Sequence, residues 1–324
     1  MNELYPLKFK PHYRQTIWGG NKLQEIFGRD LNRMNNVGES WEISGLEGHV
    51  SVVSNGFLRG NTLTELIEVY MGDLVGERVF EKYGLEFPLL IKYIDASDIL
   101  SIQVHPDDRL AEERHQCRGK TEMWYVIGAD KDASLMIGFN RDTTRNEYLE
   151  YLASQRLHEL MNVEKVQKGD VFYIPAGTLH AVGAGVFLAE IQQSSDITYR
   201  VYDWDRQDEH GQRRELHTHL AIDAINFTKC NNYRIPAPVV KTVPLVESPY
   251  FQTNFLPVGQ TAERDFYEID SFIVYMCLNG ACRIASRNHT IPLTSGDTVL
   301  VPASLNSMEI IPATDTTLLE VYMP

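Results

Sequence analysis

KGDVFYIPAG at Lys168–Gly177 and SGDTVLVPAS at Ser295–Ser304 read as two copies of one pattern. Each places a Gly-Asp turn before an apolar run that closes on Pro-Ala, the signature of a turn feeding a strand. A turn-and-strand element used twice predicts two related β units, so the chain is expected to be mostly β. The copies diverge after Pro-Ala. PAGTLHAV supplies His180, whereas PASLNSMEI supplies no counterpart, so the second unit is expected to keep the β framework without a metal site. Between the copies, Tyr233 to Pro244 carries PAPVV and reads as a linker or outer edge strand. The expected boundary divides a catalytic domain at 1–235 from a C-terminal unit at 236–324.

Upstream of the first copy lies LSIQVHPDD, Leu100 to Asp108. Strand side chains alternate, so Ser101, Gln103 and His105 share one face while Ile102 and Val104 take the other. Pro106 removes a ladder donor and favours an end to the strand. In GKTEMWY the same period puts Lys120, Glu122 and Trp124 on one face. A polar pair on one face of an otherwise apolar strand is costly unless it is partnered. Gln103, His105, Glu122 and His180 together offer two imidazole nitrogens and two oxygens, a donor set for an open divalent-metal site.

Helical signals interrupt the strands twice. GNTLTELIEVY carries Thr62 and Glu65 as a capping box, with Leu63, Leu66, Ile67 and Tyr70 at helical spacing, and begins an insertion at about 61–82. TTRNEYLEYLASQRLHELMN repeats the cap at Thr144 and Glu147, with Tyr148, Leu149, Leu152 and Leu160 as a core-facing stripe, for a second insertion at about 144–161. Elsewhere the pattern is β: VGESWEISGLEGHVSVVSNG alternates between glycines, and strands resume from Val166 to about Thr228. Two residues have double readings. Trp18, ahead of Gly19 and Gly20, suits a core or the floor of a sugar pocket. Lys92, inside the apolar FPLLIKYIDASDILSIQVHPDD, suits an edge strand or a binding site.

At 324 residues with 43% hydrophobic, the chain can bury one large β core or two smaller ones. No apolar run approaches the ~18 residues of a membrane span, and the opening MNELYPLKFK lacks a signal peptide's apolar segment, so a cytoplasmic location is expected. Cys117, Cys230, Cys277 and Cys282 lack paired-ligand spacing and are expected to be reduced thiols. With 44 acidic against 30 basic residues and no basic block, neither nucleic acid nor an anionic membrane is expected as partner. An anionic substrate would require a local cationic pocket.

Five motifs in order, IWGG (Ile17–Gly20), FPLLIKYIDASDILSIQVHPDD, GKTEMWY, PAGTLHA and LAEIQQSSDITYRVYDW (Leu188–Trp204), resemble the type I mannose-6-phosphate isomerases in their short bacterial form, members of the cupin superfamily. The resemblance implies two cupin-type jelly-roll β-barrel units with small helical insertions. It implies a metal site of Gln103, His105, Glu122 and His180, the four already reached from strand geometry, holding one Zn2+ per chain with other divalent ions acceptable. It places Trp18, Lys92, Ser101 and Asp196 in substrate binding and Arg200, Lys120 and Glu190 in catalysis. The implied partner is a sugar phosphate, and the implied reaction interconverts mannose 6-phosphate and fructose 6-phosphate through a cis-enediol.

Lys92, Lys120 and Arg200 would form the cationic cluster that a net-acidic protein needs for such a substrate. Arg200 alone would read as a surface salt bridge, and the family pattern turns it toward an anion. For the proton-moving group Lys120 stands ahead of Glu190, since either must titrate near the working pH. Two rivals remain. An iron-dependent cupin dioxygenase would use His105, Glu122 and His180, and a sugar-binding or regulatory cupin would keep the pocket without turnover. Neither requires Lys92, Lys120, Arg200 and all four ligands together. The insertion is small beside those of longer family members, which leaves the roof of the pocket open.

Overall fold

The computed structural model describes residues 3–207, 210–229, 231–236 and 241–324. Within it the two Gly-Asp turns close with matching hydrogen bonds. Asp170 N donates to Gln167 O at 3.1 Å and Asp297 N to Thr294 O at 2.8 Å. The Asp carboxylate returns the contact, accepting from Gln167 N at 2.9 Å and from Thr294 N at 2.7 Å. Gly169 and Gly296 sit at φ of 95° and 88°, where a side chain would be strained, so glycine is the residue the turn demands. Each turn also docks on an earlier strand, through Gly169 N to Val126 O and Gly296 N to Cys277 O. Pro-Ala then turns the chain again in both copies, with Thr178 N donating to Pro175 O and Leu305 N to Pro302 O.

The chain forms two compact units, each drawing on separated stretches: Tyr13–Ser40 with Ile91–Ala237, and Met1–His12 with Trp41–Leu90 and Pro238–Pro324. A cut near 235 follows the repeat spacing, whereas compactness groups N-terminal segments with the C-terminal strands.

The first of these units is built on a seven-stranded sheet and a five-stranded sheet. The seven-stranded order is Arg234–Ile235, Val171–Ile174, Glu122–Ala129, Val186–Gln193, Leu89–Ala96, His12–Gly20 and Val37–Ile43. The five-stranded order is Tyr199–Tyr202, Ile102–Val104, His180–Val182, Ser134–Phe139 and Met161–Lys165. Trp124, Val126, Phe172, Ile174 and Leu188 from the larger sheet pack with Leu135, Ile137 and Val182 from the smaller. The far face of the smaller sheet, with Ile102, Val104, Phe139 and Tyr199, is covered by Leu110, Tyr148, Ala221 and Ile222 from helices. The other unit holds a six-stranded and a four-stranded sheet around Leu256, Ile273, Tyr275, Ile284, Val299 and Leu318.

The expectation of closed jelly-roll barrels is overturned: the protein is mostly β with helical insertions, but among the described residues the four sheets are open. Closure needs the two end strands of a sheet to exchange hydrogen bonds. Here the ends are protected instead. Arg234–Ile235 is two residues long, and the Tyr199–Tyr202 edge shifts register between Arg200 and Tyr202. Alternation and turn residues are local signals that carry no information about end-to-end pairing.

Helices occur at both insertions. Leu63–Tyr70, Gly72–Val75 and Glu77–Tyr83 make the first, opened by the full Thr62/Glu65 capping box. Arg145–Ala153 and the short Leu157–Leu160 turn make the second. Its expected capping box is only half formed. Thr144 accepts from Glu147 N, but the Glu147 carboxylate meets Arg141 at 2.7 Å. Leu149, expected in the stripe, is exposed. Helices at Lys22–Phe27, Asp108–His115 and Thr218–Ala224 were not foreseen. Asp107 caps the second of these through Leu110 N at 2.8 Å, a signal readable after Pro106.

Part of the PAPVV stretch, residues 237–240, lies outside the described residues, as does Cys230. Cys277 and Cys282 are free thiols. Among the described residues no helix is long and apolar enough to cross a membrane.

Candidate metal centre

Strand pairing assembles the site in two rows. In the five-stranded sheet, Gln103 lies between His180 and Arg200 as cross-strand partners. His105 follows immediately, where Pro106 ends the strand. In the seven-stranded sheet, Glu122 is opposite Gln192 and Trp124 is opposite Glu190. Because Ile102 and Val104 are held in the core on the other side, the pleat obliges Gln103 to face the site.

Candidate ligand atoms of His105, Glu122 and His180 all lie within 4.8 Å of one another, and all three residues are buried. His105 Nε2 is 3.2 Å from Glu122 Oε1, and His180 Nε2 is 3.7 Å from Glu122 Oε2. Each imidazole places Nδ1 against a backbone carbonyl, His105 on Ile197 O at 2.8 Å and His180 on Thr178 O at 3.0 Å. A carbonyl can only accept, so Nδ1 carries the proton and Nε2 presents a lone pair to the site. Protonation of these rings is disfavoured. Burial first, then the Lys120 ammonium, pulls His105 down to about 3, and burial lowers His180 as well. Glu122 goes the other way. Burial would raise it, but the Lys120 charge holds it well below the usual carboxylate range.

Two neutral nitrogens and one ionised carboxylate suit a divalent ion. The fit is supported by Glu122 Oε2, which is buried with no hydrogen-bond partner, an expensive condition for a carboxylate oxygen unless a cation meets it. Lys120 already places a cation on the same lone pairs: its Nζ is 2.6 Å from Glu122 Oε1 and 3.1 Å from His105 Nε2. Gln103 is adjacent but turned. Its Nε2 faces His180 Nε2 at 3.2 Å, and its Oε1, the atom able to ligate, is 3.4 Å from Ser101 Oγ. Which end of an amide is oxygen is inferred from its hydrogen bonds, and a metal at His180 Nε2 would favour the opposite orientation.

Beside this cluster is a second buried charge group. Glu190 accepts from Trp124 Nε1 at 2.8 Å and pairs with Lys92 at 3.0 Å, and Lys92 also lies 3.6 Å from Glu39. Burial opposes the Lys92 charge, yet Glu190, Glu39 and Glu122 outweigh it and push its pKa up to about 12. Glu190 is raised, by burial and then by repulsion from Glu122. Two buried carboxylates are thus driven apart in acidity, the arrangement from which acid and base roles arise.

The description "Phosphomannose isomerase type I, catalytic domain" matches residues 6–132. The chain is 36% identical to the mannose-6-phosphate isomerase of Streptococcus mutans over 308 residues, covering 94% of each protein. It is 36% identical to mannose-6-phosphate isomerase ManA of Bacillus subtilis, covering 94% of this chain and 95% of that one. This chain belongs to the type I mannose-6-phosphate isomerase family. A crystal structure of the mannose 6-phosphate isomerase from Bacillus subtilis superposes with a TM-score of 0.86 at 32% identity, covering 98% of this chain and 99% of that one.

The other expected residues of this family member fall in several places. Lys92, Lys120, Glu190 and Ser101 are buried around the cluster. Arg200 is half-buried, giving one N–H to Glu215 O at 2.9 Å while its Nε is buried without a partner. Burial, then Arg214, lowers its pKa. Trp18 packs with Ile94, Ala96 and Trp124 and against Gly38, whose added Cβ would come within 2.5 Å of the indole, so its packing is that of a core residue. Asp196 is exposed on the loop after Val186–Gln193. The expected cationic cluster is correspondingly altered, because Lys92 and Lys120 are both ion-paired. Sequence reasoning missed Glu39, and also the Ile197 and Thr178 carbonyls that orient the imidazoles. Backbone carbonyls leave no residue-type signal.

His105→Ala and His180→Ala should each lose bound divalent metal, measured by elemental analysis of the purified protein. Far-UV circular dichroism should stay at wild type, since the cores and not the ion carry a domain of this size. Full metal occupancy in either variant would remove that residue from the ligand set.

Proposed function

We propose that this chain interconverts mannose 6-phosphate and fructose 6-phosphate, with His105, Glu122, His180 and Gln103 holding a zinc ion. The observation that carries this reading is the buried His–Glu–His convergence with an unpartnered Glu122 oxygen, in a member of this family. Zinc, or another divalent ion, supplies Lewis-acid stabilisation of negative charge on the substrate oxygens. The charge balance favours an anionic substrate only once that ion is counted. Glu39, Glu122 and Glu190 face Lys92 and Lys120, which leaves the protein groups one negative charge in excess. A divalent ion reverses the sign, and Arg200 adds to it.

Each side chain then has a task. Lys120, whose ammonium points at the ligand atoms, donates to substrate oxygens. Glu190, the carboxylate pushed toward neutral pH, moves the proton between C1 and C2, an assignment favoured over Lys120 by the split in acidity between Glu122 and Glu190. Arg200, in the row with Gln103 and His180 and with an unpaired Nε, stabilises the enediolate charge.

A coupled assay should show mannose 6-phosphate converted to fructose 6-phosphate, lost on chelation and restored by Zn2+; turnover undiminished by a chelator that removes all metal would sink the metal assignment. Arg200→Ala should lower kcat by about 10²-fold, the scale expected when one preorganised donor is lost, with Arg200→Lys recovering little. A raised KM at unchanged kcat would instead make Arg200 a uniform substrate grip. Glu190→Gln should abolish wash-in of deuterium from D2O at the transferred carbon position while metal content stays at wild type. Persisting wash-in would return the proton to Lys120.

A further inference from the structure

We infer that Gln192 is a positioning residue of the metal centre, setting the backbone carbonyl that fixes the tautomer of His105. This rests on the reading that His105, Glu122 and His180 hold a divalent ion. Gln192 is fully buried and lies directly across the sheet from Glu122. Its amide protons go to the end of its strand and to the loop beyond, Nε2 donating to Gln193 O at 3.0 Å and to Ser195 O at 2.6 Å. Two carbonyls at that end admit only the NH2 group, so the orientation of the amide is forced. The loop is then chained inward. Ser195 N donates to Gln193 O at 2.8 Å, and Ile197 N donates to Ser195 Oγ at 3.3 Å. Ile197 O accepts the Nδ1 proton of His105 at 2.8 Å.

The far end of Gln192 argues that these donors have a purpose. Its Oε1 is buried with no partner, an unfavourable condition that an apolar side chain of the same volume would avoid. Gln193 anchors the same loop on its other side. Its Oε1 accepts from Thr121 N at 2.9 Å, between Lys120 and Glu122, and its Nε2 donates to Asp108 Oδ1 at 2.8 Å. The loop is therefore referenced to the residue just before the strand carrying Glu122 and to the start of the helix after His105. Without Gln192 the Ile197 carbonyl is free to move, and the His105 ring loses the contact that keeps Nε2 unprotonated and aimed at the ion.

The test is metal affinity, not turnover. Metal-free full-length protein is titrated with Zn2+ against a chromophoric chelator, and with Co2+ followed by visible absorption. Gln192→Met, matched in length and unable to donate, should bind Zn2+ about 10- to 100-fold more weakly than wild type, with an altered Co2+ spectrum. The circular dichroism of its metal-free form should remain that of wild type, with a thermal midpoint only modestly lowered by the loss of two donors. Ser195→Ala, which removes one link further along, should weaken Zn2+ in the same direction by a few-fold, and it decides the matter if Gln192→Met does not fold. Wild-type affinity in the folded variants overturns the proposal, as does a loss of affinity matched by a loss of metal-free stability. A wild-type chain that binds neither ion would overturn the metal-site reading itself, and this inference with it.

Discussion

Glu122 is a carboxylate almost entirely out of water, and the groups around it answer to that charge. An unpaired ion in such a place costs on the order of several kcal/mol, more than most single side chains contribute to stability. Lys120 compensates one oxygen at 2.6 Å. Each imidazole, held neutral by burial and by a carbonyl at Nδ1, brings a lone pair, not a proton, toward Glu122. The result is a concentration of electron pairs with a single ammonium among them. Its unmet demand is for positive charge, which is why the same residues read as a ligand set.

The C-terminal strands show the same residue type with the opposite outcome. Glu320 is also buried, but both of its oxygens are saturated. Oε1 accepts from Asn254 at 3.0 Å and from Arg264 at 2.7 Å, and Oε2 accepts from Arg264 at 3.0 Å and from the Tyr275 hydroxyl at 2.5 Å. A bidentate guanidinium and two neutral donors leave little for an ion to bind. A carboxylate closed by protein donors is structural. One left with a bare oxygen in a cluster with two imidazole nitrogens is poised for a ligand.

Open sheets make the first arrangement possible. Inward positions of the seven- and five-stranded sheets are apolar at Trp124, Phe172, Leu188, Leu135 and Val182, and polar at Glu122, Glu190, Gln192, Gln103 and His180. One face thus serves as core along part of its length and as a site along the rest, with the pleat keeping the two in register. The charged groups sit on strands and not on loops, so their rotamers are limited by neighbours on the same face. The exceptions are Lys120, just before a strand, and His105, just beyond one, and the His105 ring takes its orientation from a carbonyl of the loop after Val186–Gln193.

Much of this was legible in the residues because it is local. Alternation placed Gln103 on the face opposite Ile102 and Val104, and Lys120 on the face of Glu122. The Gly-Asp turns announced their strands through a backbone conformation that glycine alone adopts freely, and Thr62 with Glu65 announced a helix. What the residues could not express were relations between distant backbone atoms. Whether the end strands of a sheet meet is decided by long-range pairing, so closed barrels were a natural expectation and open sheets the outcome. The pairing of Lys92 and Lys120 with carboxylates depended on which strands became neighbours, so a cationic cluster became a set of ion pairs. The tautomers of His105 and His180 were set by the carbonyls of Ile197 and Thr178, groups every residue carries and no sequence pattern marks. Side-chain chemistry and its period were written in the chain, whereas the partner that gives each buried charge its role was chosen only when the strands came together.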